Sequence, residues 1–140
     1  MEARNKNWEE YVRFKIGKNK FGPHIGLVFT DLHPGFVKAH LPFQAIHEQQ
    51  NGFLHGGISA AILDMVCGFA SYTLVEQEQQ VFTVETKCVY YNKGMGTEFF
   101  AEGRVDKAGK RFHFCEGEIY YFENEKKITV AKCTTTMAVV

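Results

Sequence analysis

Between residues 49 and 64 the chain gathers most of the side chains able to do chemistry. In order they are Gln49-Gln50-Asn51-Gly52, then His55-Gly56-Gly57, then a lone Asp64. The two glycines open a helical pattern, and a helix N-terminus leaves backbone N–H groups unpaired at the positive end of its dipole. Such a terminus holds a carbonyl oxygen as negative charge develops on it. Glycine there also lets a ligand come close to the backbone. The plainer alternative is a strand-to-helix turn with His55 as a cap-like residue. Asp64 stands in an otherwise apolar stretch, where an unpartnered carboxylate costs several kcal/mol. It therefore needs a donor, water or a chemical role.

These residues need elements to position them. From residue 55 to about residue 75, steps of about 100° put Ile58, Ile62, Met65, Phe69 and Tyr72 on one stripe. Leu63, Val66, Ala70 and Leu74 form a second. Gly57, Ala60, Ala61, Asp64, Gly68 and Ser71 form a third, small except for the carboxylate. A helix apolar all round is a buried helix, and a small-residue stripe admits another backbone. Upstream, residues 5–16 have helical spacing around Trp8, Tyr11, Val12 and Ile16, punctuated by Gly22-Pro23. Residues 26–32 and 36–41 read as strands joined by a His33-Pro34-Gly35 turn, with Pro42 ending the second. Downstream, 76–80 is a polar connection, and strand-like runs follow at 81–91, 97–107, 111–122 and 127–139. Their short connections suit antiparallel hairpins. In the last run Ala131, Cys133, Thr135, Met137 and Val139 share a face. The expected architecture is α+β, an antiparallel sheet curled around one long buried helix.

Composition narrows the function. The 140 residues, 45% hydrophobic, suit one domain spanning 1–140. Sixteen basic residues balance sixteen acidic ones, without the basic excess that phosphate contacts favour, so no nucleic-acid partner is expected. No run approaches the roughly 18 apolar residues of a membrane span, and no apolar run follows the N-terminus as in a secretory signal. Cys67, Cys88, Cys115 and Cys133 form no CxxC pair and have no histidine at zinc offsets, so reduced thiols in a cytoplasmic protein are expected, with no metal. His24, His33, His40, His47 and His113 make no metal spacing and read as structural or surface residues. No P-loop, dinucleotide fingerprint or G-x-S-x-G elbow is present. The 13 phenylalanines make either an aromatic core or an apolar pocket.

Gly52-x-x-His55-Gly56-Gly57, with an acidic residue nine positions after the histidine, resembles the hotdog-fold acyl-CoA thioesterases. The nearest likeness is to the phenylacetate-pathway and 4-hydroxybenzoyl-CoA thioesterase branch. It extends over two leading strands, the central helix and a four-strand C-terminal meander that begins Thr83-Val84-Glu85. The resemblance implies that the Gly56 N–H polarises a thioester carbonyl and that Asp64 acts as general base or nucleophile. His55 would support the loop and the acyl end, and Gln49 would fill an amide role, with Asn51 as the alternative. Thr83, or failing it Thr86, would orient water. Gly57 would lie against the substrate. Coenzyme A, part of the substrate rather than a cofactor, would meet cations at Lys93, Lys110 and Arg111, whose plainer role is as solvated turn charges.

Gly56 and Asp64 are eight residues apart, about 12 Å along a helix axis. One carbonyl cannot use both from a single helix. A homodimer with shared sites is therefore expected, and the resemblance implies the same dimer, in places doubled to a tetramer. Phe53, Leu54, Phe69 and Phe82 suit an aromatic or medium-chain acyl group, or else belong to the core. Two other classes remain. A non-catalytic acyl-CoA-binding hotdog domain would be expected to lack Asp64. A hotdog dehydratase or hydratase would show a proline-rich approach to the helix, and residues 49–57 hold no proline.

Overall fold

The computed structural model describes all 140 residues. Helices α1 (Trp8–Lys18) and α2 (Phe21–His24) precede strands β1 (Val28–His33) and β2 (Phe36–Pro42). A 3-10 turn, Ala45–His47, leads to the long helix α3 (Gly56–Tyr72). Strands β3 (Val81–Tyr90), β4 (Glu98–Ala108), β5 (Phe112–Glu123) and β6 (Lys126–Val139) complete one six-stranded antiparallel sheet. The α+β architecture and every expected strand are present, within a few residues of the expected limits. Gly22-Pro23 lies inside the single turn of α2, where the Gly22 N–H donates to Asn19 Oδ1 at 2.7 Å. No helix is long and apolar enough to cross a membrane.

The concave face of the sheet carries α3, and the seat is made by missing side chains. Gly103 on β4 pairs with Gly117 on β5, which pairs with Cys133 on β6. A Cβ on Gly103 would lie 2.4 Å from the Val66 carbonyl carbon, so strand and helix backbones touch. A Cβ on Gly117 would crowd Cys133 Sγ and Cys67 Sγ at 2.9 and 3.0 Å. Around this contact Ile62, Leu63, Val66, Phe99, Ile119 and Met137 are fully buried.

Two expectations need correction. The C-terminal strands are not a four-strand meander: the strand order is β1-β2-β4-β5-β6-β3, so only β4, β5 and β6 run as neighbours. β3 sits at the edge and pairs with β6 from Val81↔Val139 to Tyr90↔Ala131. The segment 91–97 is therefore a crossing connection rather than a hairpin. Its path is fixed by Gly94, whose carbonyl accepts the Leu54 N–H at 3.0 Å and whose Cβ would lie 2.6 Å from Leu54 Cβ. Nor is α3 buried all round. Ala60, Ala61, Asp64 and Gly68 are half-buried and Gly57 is exposed, because the curl of the sheet ends at β3 and leaves their stripe uncovered.

Two buried histidines brace the ends of this frame. His47 donates through Nε2 to the Ile25 carbonyl at 2.6 Å and accepts the Gln44 N–H at Nδ1. His113 on β5 shares a 2.7 Å hydrogen bond with Ser71, near the end of α3. Burial, aided by the nearby Arg4 charge, holds the His113 imidazole below its ordinary pKa.

The seat predicts that Gly103→Ala costs about 1–3 kcal/mol in urea unfolding. Gly17→Ala on α1, where a Cβ meets nothing, should gain about 0.5–1 kcal/mol. His113 predicts a pH dependence. The folded state resists a proton that the unfolded chain takes up near about pH 6.5. Stability from neutral His113 is thus complete above about pH 6.5 and lost as pH falls below it. Between about pH 7.5 and 5.5 the thermal midpoint should drop more steeply in the parent than in His113→Gln; equal slopes would assign the dependence to other groups.

Candidate active site

His55 caps α3 with extended backbone, φ −63° and ψ 132°. Its Nδ1 accepts the Gly57 N–H at 2.8 Å. The Gly57 N–H is thereby spent on the cap, while the residue itself stays exposed. The Gly56 N–H has no acceptor in the chain and is the free donor at this end of the helix. The approach is rigid. The His55 N–H donates to the carbonyl of anchored His47 at 2.8 Å, and a Glu48–Leu54 bridge closes the intervening loop. Within that loop Gln49 Oε1 accepts the Asn51 N–H. Gln49 is half-buried and Asn51 exposed. The bond commits the Gln49 oxygen to its own loop and leaves its NH2 as the group on offer.

Asp64 lies two turns further along α3, on the uncovered stripe. Thr83 Oγ1 donates to Asp64 Oδ1 at 2.6 Å, and the other carboxylate oxygen has no partner in the chain. Asp64 is thus half-exposed and hydrogen-bonded, not the isolated buried charge its neighbours imply. Thr83 rather than Thr86 reaches it. A bulge between Thr83 and Glu85 shifts the register, so Thr83 faces Met137 while Thr86 faces Thr135 further along β6.

The same register brings in a residue that the sequence reading missed. The Tyr90 hydroxyl donates to the Gly56 carbonyl at 2.8 Å, and its ring lies 3.3 Å from where a Gly56 Cβ would be. Burial raises its pKa, keeping the phenol a donor. The signal was the position of Tyr90 at the end of β3, but its facing depends on the bulge, which alternation alone does not reveal.

Of the expected cations, Lys93 lies 5.0 Å over the Phe53 ring, at the Gly56 end. Lys110 and Arg111 sit at the other end: the Arg111 carbonyl accepts the Val139 N–H, and Val139 pairs with Val81, two residues before Thr83. Among the candidate acyl-pocket residues, Phe69 lies beside Asp64, Leu54 is core, and Phe82 points outward at 58% exposure.

Residues 51–127, more than half of the chain, match the thioesterase superfamily. The chain belongs to that family. It is 27% identical over 103 residues to the proofreading thioesterase EntH of Klebsiella pneumoniae, covering 74% of this chain and 75% of that protein. A thioesterase family protein from Silicibacter pomeroyi superposes with a TM-score of 0.92 at 30% identity, over 95% of this chain and 98% of that one. The PaaI protein of the E. coli phenylacetic acid degradation operon shares the fold, at a TM-score of 0.85 and 15% identity over 99% and 96% of the two chains. The fold is the hotdog fold, and this superfamily member is a thioester hydrolase.

The cap yields a prediction. His55→Ala should cost about 0.5–2 kcal/mol by freeing the Gly57 N–H, measured by urea unfolding. His55→Asn, a strong N-cap, should restore most of that loss. A full-sized loss in both would assign the stability of the imidazole to packing.

Proposed function

We propose that the protein hydrolyses the thioester of an aromatic or medium-chain acyl-coenzyme A at sites shared between two copies of the chain. The observation that carries this reading is the placement of Gly56 and Asp64 on one helix. A free N–H and a carboxylate held by Thr83 are each suited to a thioester carbonyl, yet they stand about 12 Å apart. A second α3 running antiparallel brings the start of one helix beside the middle of the other, twice over in a two-fold dimer. The small stripe of Gly57, Ala60 and Ala61 leaves room for that approach. The free edge of β3, with Val84 59% exposed, supplies unpaired backbone groups and apolar surface for the same contact.

In such a site the carbonyl oxygen accepts the Gly56 N–H of one chain while Asp64 of the other works at the carbon. As general base, Asp64 takes a proton from water as its oxygen bonds to the carbonyl carbon. The oxyanion collapses, the C–S bond breaks, and the sulfur leaves with a proton as the free thiol of coenzyme A. As nucleophile, the carboxylate itself bonds to the carbon, the C–S bond breaks and coenzyme A leaves as a thiolate that takes a proton from water. Water then cleaves the mixed anhydride to the free acid and the Asp64 carboxylate. Both routes use the same two groups and no cofactor. Antiparallel pairing also brings both cation groups, Lys93 from one chain and Lys110 with Arg111 from the other, toward each site for the coenzyme phosphates. The four cysteines, with no CxxC pair among them, suit a cytoplasmic setting.

Mixing tests this reading. Asp64→Asn should lower kcat by about 10²–10⁴ with the fold intact. Gly56→Pro deletes the free N–H at a first helical position, after a residue already extended, with the Tyr90 ring shifting by a few tenths of an ångström to admit the new side chain. Each variant alone should be nearly inactive. Their heterodimer holds one doubly defective site and one intact site, so co-expression should restore activity. Heterodimers that form and stay inactive would place both residues within one chain and overturn the shared site.

A further inference from the structure

Tyr90 reaches the start of α3 only because β3 is irregular. Thr83 and Tyr90 are seven residues apart and would point to opposite faces of a regular strand. The extra residue in the bulge between Thr83 and Glu85 turns both toward the helix, at the expense of local ladder pairing. The Tyr90 hydroxyl then donates to the Gly56 carbonyl at 2.8 Å, and its ring covers the same residue. That carbonyl shares a peptide with the Gly57 N–H, which donates to His55 Nδ1 at 2.8 Å. A backbone N–H only donates, so Nδ1 is the acceptor and the proton of the neutral ring sits on Nε2. A chain of hydrogen bonds thus runs from phenol to imidazole through one peptide. It leaves the Nε2–H of exposed His55 without a partner in the chain, one residue before the free N–H of Gly56.

We propose that Tyr90 is a positioning residue: its hydroxyl, acting through the Gly56–Gly57 peptide, holds the donors at the start of α3 in a fixed orientation for the thioester carbonyl. The proposal rests on the thioesterase reading above. Gly56 and Gly57 carry no side chains to restrain them, and glycine has the most backbone freedom to lose. The clamp comes from another element, so it holds this turn against the fraying common at helix ends. Hydrogen bonds in a chain also polarise one another, so the phenol strengthens the Gly57 N–H as a donor to the imidazole. Tyr90 itself does not touch the reacting atoms, because its hydroxyl already serves the Gly56 carbonyl. Donors fixed before charge develops stabilise it without reorganising. Loss of the clamp therefore slows the chemical step more than it weakens binding.

The test compares the parent with Tyr90→Phe, which keeps the ring and removes the donor. Tyr91→Phe is the control, since that neighbouring phenol lies under Lys132 and not over the helix. The measurements are kcat and KM for acetyl-, benzoyl- and palmitoyl-CoA, and the solvent exchange rate of the Gly57 amide by NMR. Tyr90→Phe should lower kcat about tenfold on each substrate the parent hydrolyses, with KM changed less than about twofold. It should also speed Gly57 exchange about threefold or more. Tyr91→Phe should match the parent throughout. Faster Gly57 exchange with kcat unchanged confines Tyr90 to the stability of the helix start and overturns the proposal. A slower kcat with Gly57 exchange unchanged overturns the route through the peptide. A loss that falls on KM makes Tyr90 a substrate contact and overturns its positioning role. These three outcomes leave the thioesterase reading standing. A parent that hydrolyses none of the three substrates overturns that reading and this proposal with it.

Discussion

Val66 and Gly103 meet backbone to backbone, and the position of α3 depends on that contact. No side chain on β4 holds the helix away, and Gly117 next to it on β5 keeps the seat level. Such closeness leaves little freedom for the helix to slide or tilt, since close-packed interiors transmit small shifts. It also determines what lies at each end. Gly56 comes to rest under the Tyr90 ring, and Asp64 comes within hydrogen-bond reach of Thr83. Both partners are on β3, so one helix-to-sheet contact aligns two candidate site positions against a single strand.

The start of the helix separates two jobs that helix termini usually combine. The first turn has several N–H groups to satisfy. His55 takes the Gly57 N–H for stability, and the Gly56 N–H stays open. Glycine at position 56 lets Tyr90 lie close over the backbone, while Tyr90 takes the carbonyl on the other side of the same residue. The open donor is thus framed by groups that are already hydrogen-bonded, and binding a carbonyl there requires little rearrangement.

Much of this was legible in the sequence because it depends on local chemistry. Helical spacing after residue 55, a capping histidine before two glycines and short strand-like runs each follow from residue types along the chain. Asp64 stood out by charge, and Thr83 by its place at the start of a strand. What stayed hidden depends on contacts distant in sequence. The bulge after Thr83 decides which side chains of β3 face the helix, and so places Tyr90 over Gly56; alternation counted along the strand does not register the extra residue. The crossing of residues 91–97 has the length of a hairpin, and only the docking of Gly94 against Leu54 distinguishes the two. The uncovered stripe of α3 looked buried because apolar residues surround it on the helical wheel, whereas the sheet stops short of it.

The order of strands also has a consequence in time. β3 precedes β4 and β5 in the chain, but its ladder partner β6 follows both of them. Until β6 emerges from the ribosome, β3 has no neighbour and cannot offer a formed edge to another chain. Long-range pairing of this kind forms late because the intervening loop must close first. Until then the open edge of the growing sheet is β5, which β6 covers along its length when it pairs.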